Sequence, residues 1–95
     1  MIVMKDTKKI TNSNELSTIF KALSHPLRVQ IVEQLLKDEG TNVSNLVSIF
    51  NVSQPTISQH INILKTLGIV TGQRKGSQIY YKINNDTVIK LFKLF

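Results

Sequence analysis

The stretch Asn42–Lys65, NVSNLVSIFNVSQPTISQHINILK, leaves the chain few options. Val43, Leu46, Val47 and Phe50 recur at the three- and four-residue intervals of one helix face, which predicts a short helix over 43–50. Asn51-Val52-Ser53 reads as a turn. A second helix then starts at Ser53 or Gln54. Pro55 sits in its first turn, where a missing N–H removes no helical hydrogen bond. Ile57, Ile61 and Leu64 form its buried stripe, and Gly68 ends it. Two helices around a turn of three or four residues, the second opening on polar side chains, make the helix-turn-helix layout.

The flanks are read around this unit. Residues 1–13 show no apolar period and are expected to be a flexible arm ahead of one domain over 14–95. Asn12 followed by Glu15 resembles a capping box. Leu16, Ile19, Phe20 and Leu23 predict a helix over 14–23, and Ser24-His25-Pro26 breaks it. Leu27, Ile31, Val32, Leu35 and Leu36 predict the next helix, over 26–38, which stops at Gly40. His25, beside its start, is read as a local hydrogen-bond donor. Beyond the helix-turn-helix, Ile69–Lys75 and Gln78–Asn84 form two strands joined by Gly76-Ser77, a hairpin turn. Asn84-Asn85-Asp86 caps a last helix.

The expected fold is therefore mainly α with a small β-hairpin: a winged helix-turn-helix of four helices, two strands and a final helix. On that final helix Val88, Ile89, Leu91, Phe92, Leu94 and Phe95 cover most of the surface. A soluble monomer rarely leaves so wide an apolar patch open. A two-fold partner would cover it. The first and last helices are thus expected to form a homodimer interface through Leu16, Ile19, Phe20, Val88, Leu91, Phe92 and Phe95.

Charge supports a polyanionic partner. The net charge is +6, and residues 40–95 hold Lys65, Arg74, Lys75, Lys82, Lys90 and Lys93 against Asp86 alone. A basic half attracts phosphate backbones or anionic membranes, and a merely solubilising surface is the plain alternative, so charge alone does not decide the partner. Other classes find little to work with. There is no cysteine, hence no disulfide or thiolate metal site. Two histidines and six carboxylates form no catalytic motif, so no enzyme activity, catalytic residue, metal or cofactor is expected. Gly72 and Gly76 lie in a hairpin, not between a strand and a helix, and imply no phosphate loop. The N-terminus is too polar for a signal peptide, and no apolar run approaches the ~18 residues of a membrane span. A cytoplasmic protein without a membrane partner is expected.

The second helix of the helix-turn-helix carries the candidate site. With Ile57 pointing inward and about 100° per residue, Pro55, Ser58, Gln59, Asn62 and Thr66 fall outward or to the sides. Gln and Asn can bond two edges of an adenine in the major groove, and Ser or Thr can reach bases or phosphates. Gln54 and Thr56 stand near the helix N-terminus, which favours a phosphate. Lys65, Arg74 and Lys75 would neutralise backbone charge. The expected DNA-binding set is Gln54, Thr56, Ser58, Gln59, Asn62, Lys65, Arg74 and Lys75. His60, to one side of the inward face, is expected to pack or to touch a phosphate, with a pH switch as the lesser alternative. The alternative is a winged-helix module that docks another protein through its apolar last helix.

Three segments, ALSHPLRVQIVEQLL (22–36), VSQPTISQHINILKTLGIV (52–70) and GQRKGSQIYYKI (72–83), resemble the ArsR/SmtB family of winged-helix repressors. The resemblance implies a homodimer built on the first and last helices, with two recognition helices in successive major grooves of an inverted-repeat operator in double-stranded DNA. It also implies repression relieved by an inducer. Arsenic- and cadmium-type members hold cysteines at the places of Asn42 and Ser44, and zinc-type members hold Asp-x-His where this chain has Asp86 and Val88. Neither pattern is met, so the resemblance points to a metal-independent repressor whose inducing signal is unknown.

Overall fold

The structure, a computed structural model, describes residues 13–95. The expected arm over 1–13, apart from Ser13, and the Asn12 cap lie outside the described residues. Helix α1 spans Ser13–Ala22, with Glu15 in its first turn and Lys21 in its last, each the charge that the helix dipole favours there. The Ser24 hydroxyl donates to the Lys21 carbonyl at 2.7 Å as the chain leaves the helix.

Helix α2 spans Pro26–Lys37, and His25 is its N-cap. The His25 Nδ1 accepts a hydrogen bond from the Leu27 N–H at 3.2 Å. This corrects the expected donor role: the first amides of a helix are donors without partners, so a cap there must accept. Gly40, at φ +77, then turns the chain, and its N–H donates to the Tyr81 carbonyl at 3.1 Å.

That bond leads into a two-residue strand absent from the expected fold. Strand β1 (Thr41–Asn42) pairs with strand β3 (Gln78–Ile83), which pairs in turn with strand β2 (Val70–Lys75). The sheet is antiparallel, in the order β1-β3-β2, with Thr41 opposite Tyr81 and Val70 opposite Ile83. The wing is thus anchored to the helical body along one edge of β3. Thr41 is fully buried, and its hydroxyl is satisfied by the Asp38 carbonyl at 2.6 Å.

Helix α3 (Val43–Phe50) is capped by Asn42, whose side-chain oxygen accepts from the Asn45 N–H at 2.8 Å. It ends at Asn51, which takes the left-handed conformation at φ 55, ψ 46. Asparagine tolerates that region better than most residues. Helix α4 (Gln54–Thr66) ends in a Schellman turn: the Gly68 N–H donates to the Lys65 carbonyl and the Ile69 N–H to the Leu64 carbonyl. Gly68 supplies the positive φ, and Ile69 and Leu64, both fully buried, supply the apolar contact of that motif. Helix α5 (Asp86–Phe92) is capped by Asn85, whose oxygen accepts from the Val88 N–H at 3.0 Å.

Ile31, Val32 and Leu35 of α2, Leu46 of α3, and Ile57, Ile61 and Leu64 of α4 close one core with Ile69, Val70 and Tyr81. Ile19 and Val88 belong to it too, at 2 % and 0 % exposure. This corrects their assignment to a dimer surface, because both are covered within the chain itself. The last helix is also shorter than its apolar run suggested. Leu94 and Phe95 lie beyond it, 78 % and 92 % exposed. Among the described residues no helix is long and apolar enough to cross a membrane.

Candidate nucleic-acid interface

Helix α4 presents two unlike faces. Its inner row, Ile57, His60, Ile61 and Leu64, is buried, while Gln54, Pro55, Gln59, Asn62, Lys65 and Thr66 are exposed. Gln59, Asn62 and Thr66 follow one another at helical spacing, and with Ile63 and Leu67 they line a shallow open depression. Six of the eight expected contact residues are exposed: Gln54, Gln59, Asn62, Lys65, Arg74 and Lys75. Thr56 and Ser58 are half-buried. The Thr56 hydroxyl lies 2.9 Å from that of Ser53, which ties the two together across the first turn of the helix. Ile63 and Thr66 were not in the expected set; Thr66 continues its exposed row and Ile63, half-buried, flanks it.

The wing is a tight hairpin. Gly76 has φ +64 and Ser77 does not share that sign, the pattern of a type II′ turn with glycine first. Successive strand residues alternate between faces, so Arg74 and Lys75 project to opposite sides. Lys75 shares a face with Thr71, Gln73, Tyr80 and Lys82, and its ammonium lies 5.9 Å from the Tyr80 ring centre. Arg74 lies on the face of Gly72, Ile79 and Tyr81. Gly72 leaves room there for its neighbours: a Cβ would stand 2.8 Å from Tyr81 Cε1 and 2.9 Å from Ile79 Cγ2, so these side chains would have to shift.

Behind α4 lies a polar cluster. Arg28 Nε donates to the Ala22 carbonyl at 2.6 Å, and its Nη1 lies 3.2 Å from His60 Nδ1. The His25 and His60 ring centres are 4.5 Å apart. Burial, and then the charges of His25 and Arg28, hold the His60 pKa below its ordinary value of 6.5. His60 is therefore a packed inner group. The signal for this was present in the chain: Arg28 stands in register with Val32 and Leu35, and His60 in register with Ile57 and Leu64, on the apolar stripes.

A second apolar surface lies elsewhere. Phe20 and Leu23 of α1 and its exit, Val29 and Glu33 of α2, and Leu91, Phe92 and Phe95 line a groove of about 430 Å³. Of the expected interface set, Leu16, Leu91 and Phe92 are half-buried and Phe20 and Phe95 exposed. Phe92 and Phe95 meet edge to face, 6.1 Å between ring centres.

The two positions tied by resemblance to soft metals have other roles or no metal chemistry. The Asn42 oxygen is engaged in capping α3, and Ser44 is an exposed hydroxyl. Among the described residues no group of three or more His, Cys, Asp or Glu is placed to hold a metal ion.

A polar helix face held clear of the core, opened by a tight turn and flanked by a basic hairpin, defines a winged helix-turn-helix protein. The chain belongs to the arsR family of bacterial regulatory proteins, whose sequence pattern matches residues 25–71. It is 41% identical over 73 residues to the transcriptional repressor SdpR of Bacillus subtilis, a match covering 77% of this chain and 80% of that protein. The crystal structure of the transcriptional repressor BigR from Xylella fastidiosa superposes with a TM-score of 0.83 at 31% identity, covering 98% of this chain and 92% of that one. A homodimeric winged helix-turn-helix DNA-binding domain from Mycobacterium bovis superposes with a TM-score of 0.76 at 30% identity, covering 85% and 74%. These relatives carry names of transcriptional and DNA-binding proteins, which goes against the protein-docking alternative.

Proposed function

We propose that the protein is a cytoplasmic transcriptional repressor that binds an inverted-repeat operator in double-stranded DNA as a homodimer. The observation that carries this reading is the exposed row Gln59, Asn62 and Thr66 on a helix whose opposite face is locked in the core. Amide side chains on a rigid helix can make paired hydrogen bonds to adenine in the major groove. Lys65, Arg74 and Lys75 supply positive charge beside that row, toward the phosphates. Arg74 and Lys75, on opposite faces of a narrow hairpin, suit phosphates on either side of the wing. Gln54 and Thr56, at the start of α4, suit a phosphate at the groove edge.

Dimerisation follows from the groove beside α1 and α5. Phe20 and Phe95 are large, apolar and uncovered, and a second copy placed about a two-fold axis would bury both sets at once. Leu16, Leu91 and Phe92 would extend that contact. Two α4 helices then meet the same side of the duplex about one turn apart, ~34 Å. Repression is by occupancy of the DNA, which needs no catalytic step. The names of SdpR and BigR as repressors support the direction of control.

Gln59→Ala tests the reading face. Binding measured against every single-base variant of the preferred duplex should lose discrimination at one position per half-site, by about 1–3 kcal/mol, with other positions unchanged. A uniform loss on all sequences would show that Gln59 contacts backbone and that bases are read elsewhere.

A further inference from the structure

We propose that Arg28 is a positioning residue for the reading helix, acting through His60 to fix the roll of α4 about its own axis. The inference rests on α4 being the helix that reads DNA. The apolar groups that hold α4, Ile57, Ile61 and Leu64, are fully or almost fully buried, but apolar contact is non-directional. It resists separation of the helix from the core more than rotation against it. A roll of 20° at the 5–6 Å radius of the side chains displaces the outer face by roughly 2 Å. That is enough to break a hydrogen bond between Gln59 or Asn62 and a base edge.

The inner face of α4 holds one group suited to prevent such a roll. An arginine has donors and no acceptor and keeps its charge. With Arg28 Nη1 at 3.2 Å, His60 Nδ1 must therefore accept, which leaves the ring neutral with its proton on Nε2. The same guanidinium donates through Nε to the carbonyl of Ala22, the last residue of α1, at 2.6 Å. One planar, half-buried group thus joins the end of α1, the first turn of α2 and the inner face of α4. His25 closes the cluster with its ring against His60, while its own Nδ1 accepts from the Leu27 N–H. His25 and Arg28 are the charges that act on His60, and α3, which packs on α4, contains no ionisable side chain. Because α1 also borders the apolar groove, the joint connects the proposed dimer surface to the reading surface.

The joint depends on the protonation state of His60. A protonated ring presents a donor to a guanidinium that can only donate, and the bond becomes a repulsion. Acidification should therefore release α4 and weaken specific DNA binding. A histidine in contact with phosphate would do the reverse, because added positive charge strengthens that contact.

The test measures affinity for the preferred duplex by fluorescence anisotropy between pH 7.5 and 5.5, with circular dichroism of each protein at each pH. The unaltered protein is expected to lose affinity progressively below pH 6.5 while remaining folded, by less than about tenfold at pH 5.5 because the His60 pKa is lowered, the loss following the fraction of molecules that keep the competent geometry. Arg28→Met, which keeps much of the apolar stem, is expected to be about tenfold weaker at pH 7.5 and nearly insensitive to pH. Arg28→Lys should recover part of that loss. His60→Asn keeps a neutral acceptor toward Arg28 and cannot titrate, so its affinity should change less than about threefold across the range. Sequence preference of the unaltered protein at pH 7.5 reports on the reading face alone, so failure of that reading is a separate result. The proposal is overturned if acid strengthens binding. It is equally overturned if folded Arg28→Met binds with unaltered affinity and pH profile, or if His60→Asn keeps the full acid loss.

Discussion

Arg74 and Lys75 are neighbours in the chain but stand on opposite faces of the wing, so replacing them singly and together separates their contributions. Each alanine substitution removes one cation per protomer and two per dimer. If each cation neutralises one phosphate, the slope of log affinity against log salt should become shallower by about 1.8 for either single variant and about 3.6 for the double. Between 50 and 200 mM salt a slope change of 1.8 corresponds to roughly a 12-fold difference in how much affinity is lost, and 3.6 to roughly 150-fold. Both side chains are exposed, so the fold should persist. The assay is anisotropy titration of an operator duplex and a scrambled duplex at four salt concentrations. The ratio of the two affinities should stay constant while both fall. An unchanged slope, or a loss confined to the operator, would refute the assignment of the wing to phosphate contact. A change in slope for only one single variant would assign contact to one face of the hairpin.

Three further outcomes follow from packing and charge. Gly72→Ala places a methyl within 3.0 Å of Tyr81 and Ile79, and overpacking of this kind should cost about 1–3 kcal/mol in urea unfolding. Leu46→Ala empties a fully buried site at the centre of α3 and should cost about 2–5 kcal/mol, seen as a fall in melting temperature. Stability should also fall on acidification through His60. Its folded pKa lies below 6.5, so the unfolded chain binds the proton first; the contribution is complete above about pH 6.5 and is lost as pH drops through the lowered folded value. His60→Asn should remove that part of the pH dependence, and an unchanged acid profile in thermal melts would assign it to other groups.

The helices were legible because burial imposes a period. Ile57, Ile61 and Leu64, or Val32 and Leu35, declare an inner face without reference to partners. The turn at Asn51 and the stop at Gly68 were legible because few side chains suit their backbone. Strand β1 was not, since two residues carry no period and its pairing with Tyr80 and Tyr81 is a contact across about forty residues. Ile19 and Val88 were assigned to a partner for a related reason. A wide apolar surface shows that something covers it, but whether the cover is the same chain depends on how the helices pack. Phe95 was placed on a helix that ends three residues earlier, because apolar spacing does not record where a helix stops. Arg28 and His60 occupy positions in step with apolar stripes, a signal the chain carries but one that needs the fold to interpret, since they meet across 32 positions.

If two copies of α4 read DNA across a two-fold axis, the preferred sequence carries the same symmetry. Sequencing the duplexes that the protein retains from a random pool tests it most directly. The expected result is an inverted repeat whose half-site centres lie one helical turn apart, about 34 Å. Enrichment of a single unrepeated half-site, or of no sequence at all, would contradict it.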